Sequence, residues 1–337
     1  MEEIVLEALF SGDGEAQVQA ATNLSKLSSR QRHKLAEKGV ISPLLSMLLS
    51  QDFRAIEAAL FALLSIAFGS ERNKIRIVKS GTVPLFLRFL QCESESLIDL
   101  AVAALLTLSS CTANKHEIAG SGVIQHLIEL LAADFTGDAR PISLQAKFDA
   151  IATLHNLSTC KEITPLIVSS GIVSSLLQII SNSDKSSGLV EKATMLLESV
   201  VSSSETALRE IGGEEGAIPA MVEAIEEGSA QCKESAVAIL AVMCRSCRER
   251  NRGLILREGA MPGLLQLSVD GTARAKQTAT ELLWLLRDCS KYGSRRKKAL
   301  KREVKVLEQV MEEINGAGVK EGTALRMVEK MIAKLSV

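Results

Sequence analysis

Residues 150–158 read Ala150-Ile151-Ala152-Thr153-Leu154-His155-Asn156-Leu157-Ser158, and this pattern recurs at intervals along the chain. The position of Ala150 is matched by Ala20, Ala59, Ala101, Ala193, Ala236 and Ala279. That of Leu154 is matched by Leu24, Leu63, Leu105, Leu197, Leu240 and Leu283. The position of Leu157 is always apolar, as Leu27, Ile66, Leu108, Val200, Met243 and Leu286. A small residue, a Leu four later and an apolar residue three after that share one side of a helix, so each copy predicts a buried helical stripe. Seven copies of one stripe predict a repeat protein.

A second column sets the length of the unit. Gly39, Gly81, Gly122, Gly171, Gly216 and Gly259 are spaced 42, 41, 49, 45 and 43 residues apart. Each precedes an apolar pair, Leu44-Leu45 in the first case and Leu264-Leu265 in the last. Glycine can take the left-handed conformation that ends one helix and turns the chain. Pro84, Pro219 and Pro262 stand three residues after their glycines, where a first-turn proline is tolerated. The unit is therefore a Gly turn, one or two short helices, a polar break and the long Ala/Leu helix. A polar loop and a short apolar piece then lead to the next glycine. A period near 42 residues with no strand pattern indicates an all-α solenoid.

Composition agrees. Of 337 residues 47% are apolar but only 3% aromatic, so Leu, Ile, Val and Ala must do the packing, as closely stacked helices require. Seven cysteines, most inside apolar helical patterns, read as buried free thiols in a reducing compartment. The first residues lack the basic start and apolar core of a signal peptide. No apolar run reaches the ~20 residues of a membrane span. Asn156-Leu157-Ser158 fits a glycosylation pattern but sits on a packed helix. Ala133 to Ser143 and Ser181 to Gly188 stretch two repeats and read as surface loops.

The residues also resemble a known family. A Gly turn, an Ile/Val-Pro start, paired leucines, a central Ala, Leu154-His155-Asn156-Leu157-Ser158 and then Asn-Lys before the next turn resemble the armadillo repeat. Asn73-Lys74 and Asn114-Lys115-His116-Glu117-Ile118 match the family's tail motif, and Arg250-Asn251-Arg252 is a weaker copy. The match is similar in flavour to the armadillo domains of plant U-box proteins. A U-box would need a separate domain of ~70 residues ahead of the repeats, and the expectation is that it is absent. The resemblance implies a right-handed armadillo-repeat superhelix of about seven repeats, over residues 1–38, 39–80, 81–121, 122–170, 171–215, 216–258 and 259–288. Residues 289–337 form a basic extension whose helical periodicity predicts a C-terminal cap on the open core.

Chemistry finds little footing in the sequence. None of His33, His116, His126 and His155 stands beside a nucleophile in a triad or elbow arrangement. The cluster Gly212-Gly213-Glu214-Glu215-Gly216 is acidic and would repel phosphate. Cys244 and Cys247 make a lone CxxC without the second pair a structural zinc requires, and read as small buried residues. No catalytic residue, cofactor or metal is expected, and no small-molecule substrate.

Recognition along a groove is the stronger expectation. In armadillo solenoids the long helices line a concave face, and the resemblance puts the Asn156 column on it. Its members are Lys26, Ser65, Thr107, Asn156, Ser199, Val242 and Leu285. One turn earlier come Thr22, Phe61, Ala103, Ala152, Met195, Ala238 and Glu281. Lys26, Phe61, Ser65, Thr107, Asn156, Ser199 and Val242 are the candidate binding residues. Importin-α, a nuclear-import adaptor of this fold, carries an Asn ladder in the first column and Trp in the second. This chain has one Asn and no Trp there, so a receptor for basic nuclear-localisation peptides is the alternative rather than the first reading. The groove suits a docked helix or an extended segment of a protein or peptide partner. The function expected is a monomeric, non-enzymatic scaffold, linked by resemblance to ubiquitin-dependent or receptor signalling.

The basic stretch keeps three readings. Arg295, Arg296, Lys297, Lys298, Lys301 and Arg302 form a candidate nuclear signal, a contact for acidic lipid or nucleic acid, or a solvated helix face. Aromatic interleaving is confined to Tyr292, so no specific nucleic acid is expected. The localisation expected is cytoplasmic, and nuclear as well if the signal is read. Arg245, Arg248, Arg250 and Arg252 read as a solvated loop after the sixth long helix.

Overall fold

The computed structural model describes residues 2–137 and 140–287. The chain opens with α1 (Glu2–Phe10) and the longer α2 (Gly14–Ser25), and six helix triplets follow. The first is α3 (Ser29–Glu37), α4 (Ile41–Leu48) and α5 (Phe53–Ala67). The second is α6 (Glu71–Lys79), α7 (Val83–Leu90) and α8 (Glu95–Ser109). A 3-10 turn at Thr112–Asn114 then leads to α9 (Lys115–Gly120), α10 (Val123–Thr136) and α11 (Leu144–Ser158). The next triplet is α12 (Thr164–Ser169), α13 (Ile172–Asn182) and α14 (Gly188–Ser203). Then come α15 (Glu205–Gly213), α16 (Ala217–Glu227) and α17 (Ala230–Ser246). The last described are α18 (Arg248–Arg257), α19 (Met261–Asp270) and α20 (Ala273–Leu286). No strand occurs among the described residues.

Every third helix is the long Ala/Leu one, and each begins in the same way. Asp13, Asp52, Ser94, Ser143, Ser187, Ser229 and Thr272 each accept a hydrogen bond from a backbone N–H of the first turn. Such a cap contributes about 1 kcal/mol by satisfying a donor the helix leaves orphaned. The seven alanines of the repeated column are at most 3% exposed. Their lack of side-chain bulk lets successive long helices approach, and each long helix packs on the next from α2 to α20. The matching leucines are buried up to Leu240, but Leu283 is half-buried. The reason is positional, since α20 has no neighbour beyond it among the described residues. One continuous apolar cluster runs from Val5 to Leu286.

The recurring glycines lie between the first and second helix of each triplet. Gly39, Gly81, Gly122, Gly171 and Gly259 all have positive φ, between 76° and 92°. Gly216 departs, with φ −78°. There the chain leaves α15 through an extended Glu214, so the reversal does not fall on the glycine.

The Asn-Lys tail motif has a physical explanation. Asn73 donates through Nδ2 to the carbonyl of Ile66, Asn114 to that of Leu108 and Asn251 to that of Met243. All three amides are buried and tie the first short helix to the end of the long helix before it. Lys74 and Lys115 point the other way. Their ammonium groups donate to Ser110 at 2.8 Å and Thr159 at 2.5 Å, at the end of the next long helix. Adjacent residues thus bond the repeats on either side.

Several expectations need correction. The stretch from Ala133 is not all loop, because α10 continues to Thr136 with Ala133 buried, and Gly137 (φ 75°) ends it. The second insertion is shorter than expected, with α13 reaching Asn182. Its Lys185 is buried and donates to the carbonyls of Ser181 and Ser183. The arginine cluster is helical rather than a solvated loop: Arg245 lies in the last turn of α17, and Arg248, Arg250 and Arg252 lie on α18. Arg248 donates to the carbonyls of Leu285 and Arg287, and Arg252 to that of Leu286. These cations close the carbonyl end of α20, where the helix dipole favours positive charge. Cys244 is buried but Cys247 is exposed, between α17 and α18. The candidate nuclear signal and the expected C-terminal cap lie outside the described residues.

Candidate functional site

The seven long helices present one side row to solvent. Phe61, Ala103, Ala152 and Met195 lie one turn ahead of Ser65, Thr107, Asn156 and Ser199 on α5, α8, α11 and α14. Phe61 is 50% exposed, the largest apolar surface in the row. Lys26 is exposed just beyond α2, while Ser65, Thr107, Asn156, Ser199 and Val242 are half-buried. Three of the polar candidates already have partners, Lys26 donating to Asn23 at 3.5 Å. Thr107 donates to the carbonyl of Ala103 in its own helix. Asn156 donates to the hydroxyl of Ser109 at 3.2 Å and to the carbonyl of Leu106 at 3.4 Å, both on α8. The amide of Asn156 therefore joins adjacent long helices, and its oxygen is the atom left for a ligand to address. Ala238 is buried, which narrows the row at α17.

Sequence reasoning missed a second row, of carboxylates, on the amino-terminal half of the same helices. Glu57 accepts from Ser96 at 2.6 Å, Asp99 from Ser143 at 2.6 Å and Glu191 from Ser229 at 2.7 Å. Glu234 accepts from Thr272. Each bond joins one long helix to the start of the next. The signal was present in the repeat register, since Glu57, Asp99, Glu191 and Glu234 each stand two residues before the column alanine.

In the repeat of Ala150 the row position is Phe148, and Asp149 stands one residue out of register. Burial pushes the Asp149 carboxyl above its usual range, a hydrogen bond from Gln145 opposes that, and the like charge of Asp99 adds to it. The Thr272 hydroxyl and the Arg274 guanidinium hold Glu234 below its usual range against the cost of burial. Arg274 bonds both Glu198 and Glu234, joining α20 to α14 and α17 across two repeats. Trp284, the lone tryptophan of the chain, already receives a cation of its own chain, with the Arg287 guanidinium 4.8 Å from its ring centre.

Elsewhere, the structure brings together residues that the sequence left apart. His116 lies beside Cys160 and Glu162, one repeat away. A surface hollow of about 510 Å³ between α10 and α13 is lined by polar groups such as Gln125, Glu129, Arg140 and Ser174, with neither His nor Cys. No single helix among the described residues is long and apolar enough to cross a membrane.

The stacked triplets and their uninterrupted core define the class: an all-helical repeat solenoid with one long side row of helices. A family model described as the plant U-box protein ARM repeat region matches residues 139–305. A second, the armadillo/beta-catenin-like repeat, matches residues 70–110. The chain belongs to the armadillo-repeat family. Among curated proteins, U-box domain-containing protein 17 of Arabidopsis thaliana is 32% identical over 72% of this chain and 32% of its own length. Importin subunit alpha-1b of Oryza sativa subsp. japonica is 33% identical over 30% of this chain and 20% of its own. The chain thus spans about a third or less of these relatives. The crystal structure of an engineered protein superposes with a TM-score of 0.73 at 20% identity, covering 99% of this chain and 78% of the other. At that identity the likeness concerns the fold alone.

Proposed function

We propose that this protein is a non-enzymatic interaction scaffold that takes a segment of a protein partner along a concave groove formed by its long helices. The carboxylate row carries the reading. Glu57, Asp99 and Glu191 are each bonded to the start of the next long helix, so they are fixed negative points on that side and not mobile surface charges, whereas Glu234 is paired with Arg274. Such points favour a partner segment with Lys or Arg side chains and exclude acidic ones. Exposed Phe61 adds an apolar contact at the amino-terminal end. Kinship with U-box proteins supports a place in ubiquitin-linked or receptor signalling.

A receptor for basic nuclear-localisation peptides is the second reading, favoured by the same carboxylates and by the likeness to an importin. The lone Asn156 in its column and the small residues in the other column weigh against it.

The test is fluorescence anisotropy with labelled alternating Lys/Arg and Glu/Ser peptides, using wild type, a Thr107→Lys/Ser199→Lys variant and a Thr107→Glu/Ser199→Glu variant. The cationic peptide should bind wild type, weaken with added salt and lose at least about fivefold in affinity in the Lys variant but not in the Glu variant. Equal binding of both peptides, or equal losses in both variants, would remove this face as the site. A loss of about a hundredfold on Asn156→Ala would favour the import-receptor reading.

A further inference from the structure

We propose that His116, Cys160 and Glu162 form a binding site for a zinc-class divalent transition metal, joining two adjacent repeats. His116 stands in the first turn of α9, and Cys160 and Glu162 in the loop between α11 and α12. The potential ligand atoms all lie within 4.8 Å of one another. Cys160 Sγ is 3.6 Å from His116 Nε2 and 2.9 Å from Glu162 Oε2.

The sulfur–nitrogen separation matches a tetrahedral centre. With a metal–sulfur bond of about 2.3 Å and a metal–nitrogen bond of about 2.05 Å, the tetrahedral angle sets S···N near ~3.6 Å. The observed distance already has that value. The same geometry sets S···O near ~3.5 Å and N···O near ~3.4 Å, so the exposed Glu162 carboxylate must move away from the sulfur to complete the centre. The donor set is one thiolate, one imidazole and one carboxylate, the borderline mixture that suits zinc over calcium or magnesium. Thiolate and carboxylate together neutralise a dication. His116 and Glu162 are exposed and Cys160 is half-buried, so a fourth position faces solvent for water or a ligand from a partner.

In the metal-free protein the thiol keeps its proton. The hydrogen bond to Glu162 pushes the Cys160 thiol above its usual range and holds the Glu162 carboxyl below its own. Metal binding displaces that proton to solvent. The consequence is mechanical. Thr159 receives Lys115 and donates to the carbonyl of Asn156. A metal at Cys160 fixes the rim of the groove at its third and fourth long helices.

Cobalt(II) is the probe for the test, titrated into the reduced, chelator-treated full chain and followed by absorption. The expected result is a thiolate-to-cobalt charge-transfer band and visible d–d bands of tetrahedral intensity, saturating at one equivalent and bleached by zinc. Cys160→Ser should abolish the charge-transfer band, and His116→Ala should weaken binding at least about tenfold. Matching far-ultraviolet circular dichroism in all three proteins shows that the fold is kept. A wild type without these bands, or bands unchanged in Cys160→Ser, overturns the proposal.

Discussion

The side-chain amide of Asn73 donates to the carbonyl oxygen of Ile66 at 3.0 Å, deep in the seam between α5 and α6. The bond recurs at Asn114–Leu108 (3.1 Å) and Asn251–Met243 (2.6 Å). Each carbonyl belongs to the last turn of a long helix, where intrahelical donors run out. Removing the amide leaves the Ile66 carbonyl without its side-chain donor, whereas Leu108 keeps the backbone N–H of Cys111, and Met243 keeps that of Cys247 and the Ser246 hydroxyl. Asn73→Ala should destabilise the protein by about 1–3 kcal/mol, and Asn114→Ala and Asn251→Ala, whose carbonyls keep a donor, by less. Thr164 fills the same role with its hydroxyl on the carbonyl of Ser158, so Thr164→Ser should change little. Urea unfolding of the intact protein checks this. A midpoint unmoved by all three alanines would show that the bond is not what holds the seam.

The two classes of turn glycine make a sharper comparison. Gly122 has φ 92° and Gly216 has φ −78°, and neither has an atom that an added Cβ would meet within 4 Å. Space is equal at both sites, so only the backbone differs. Alanine at Gly122 must adopt a left-handed conformation, at a cost of about 1–2 kcal/mol. Alanine at Gly216 fits its ordinary conformation and restricts the unfolded chain, which stabilises by about 0.4–1 kcal/mol. Thermal melts should therefore move in opposite directions, and a shared direction would contradict the assignment of conformations.

These two cases also show what the sequence could reveal. The Ala150 column and the glycine spacing made the solenoid legible, because a stack needs the same small residue at every close approach. Glycine identity alone could not separate Gly216 from Gly122, since the difference lies in how α15 ends. The carboxylates at Glu57, Asp99, Glu191 and Glu234 were legible in register but hidden by attention to the other columns. Arg248 and Arg252 were not legible, because their acceptors are backbone carbonyls of α20 and leave no residue signature. His116 and Cys160 are 44 residues apart, a separation that becomes adjacency only when one repeat is laid on the next.

Acid should weaken the last repeats through Glu234. Its carboxyl accepts from Thr272 and pairs with Arg274, and these partners hold it below the ordinary carboxylate range. A carboxylate with a lowered folded value contributes stability that is complete above its unfolded value, here near 4.5. Below that pH the unfolded chain takes up the proton first, and the contribution disappears as pH falls through the folded value. Other carboxylates titrate in the same window, so the informative quantity is a difference. Wild type should exceed Glu234→Gln in melting temperature at pH 7, with the gap closing as pH falls below about 4.5. Arg274 is 55% exposed along its side chain, so salt should narrow the gap at pH 7 only in part, leaving the share due to Thr272. A gap that stays constant from neutral pH into the acid range would mean that Glu234 acts through shape and not through charge.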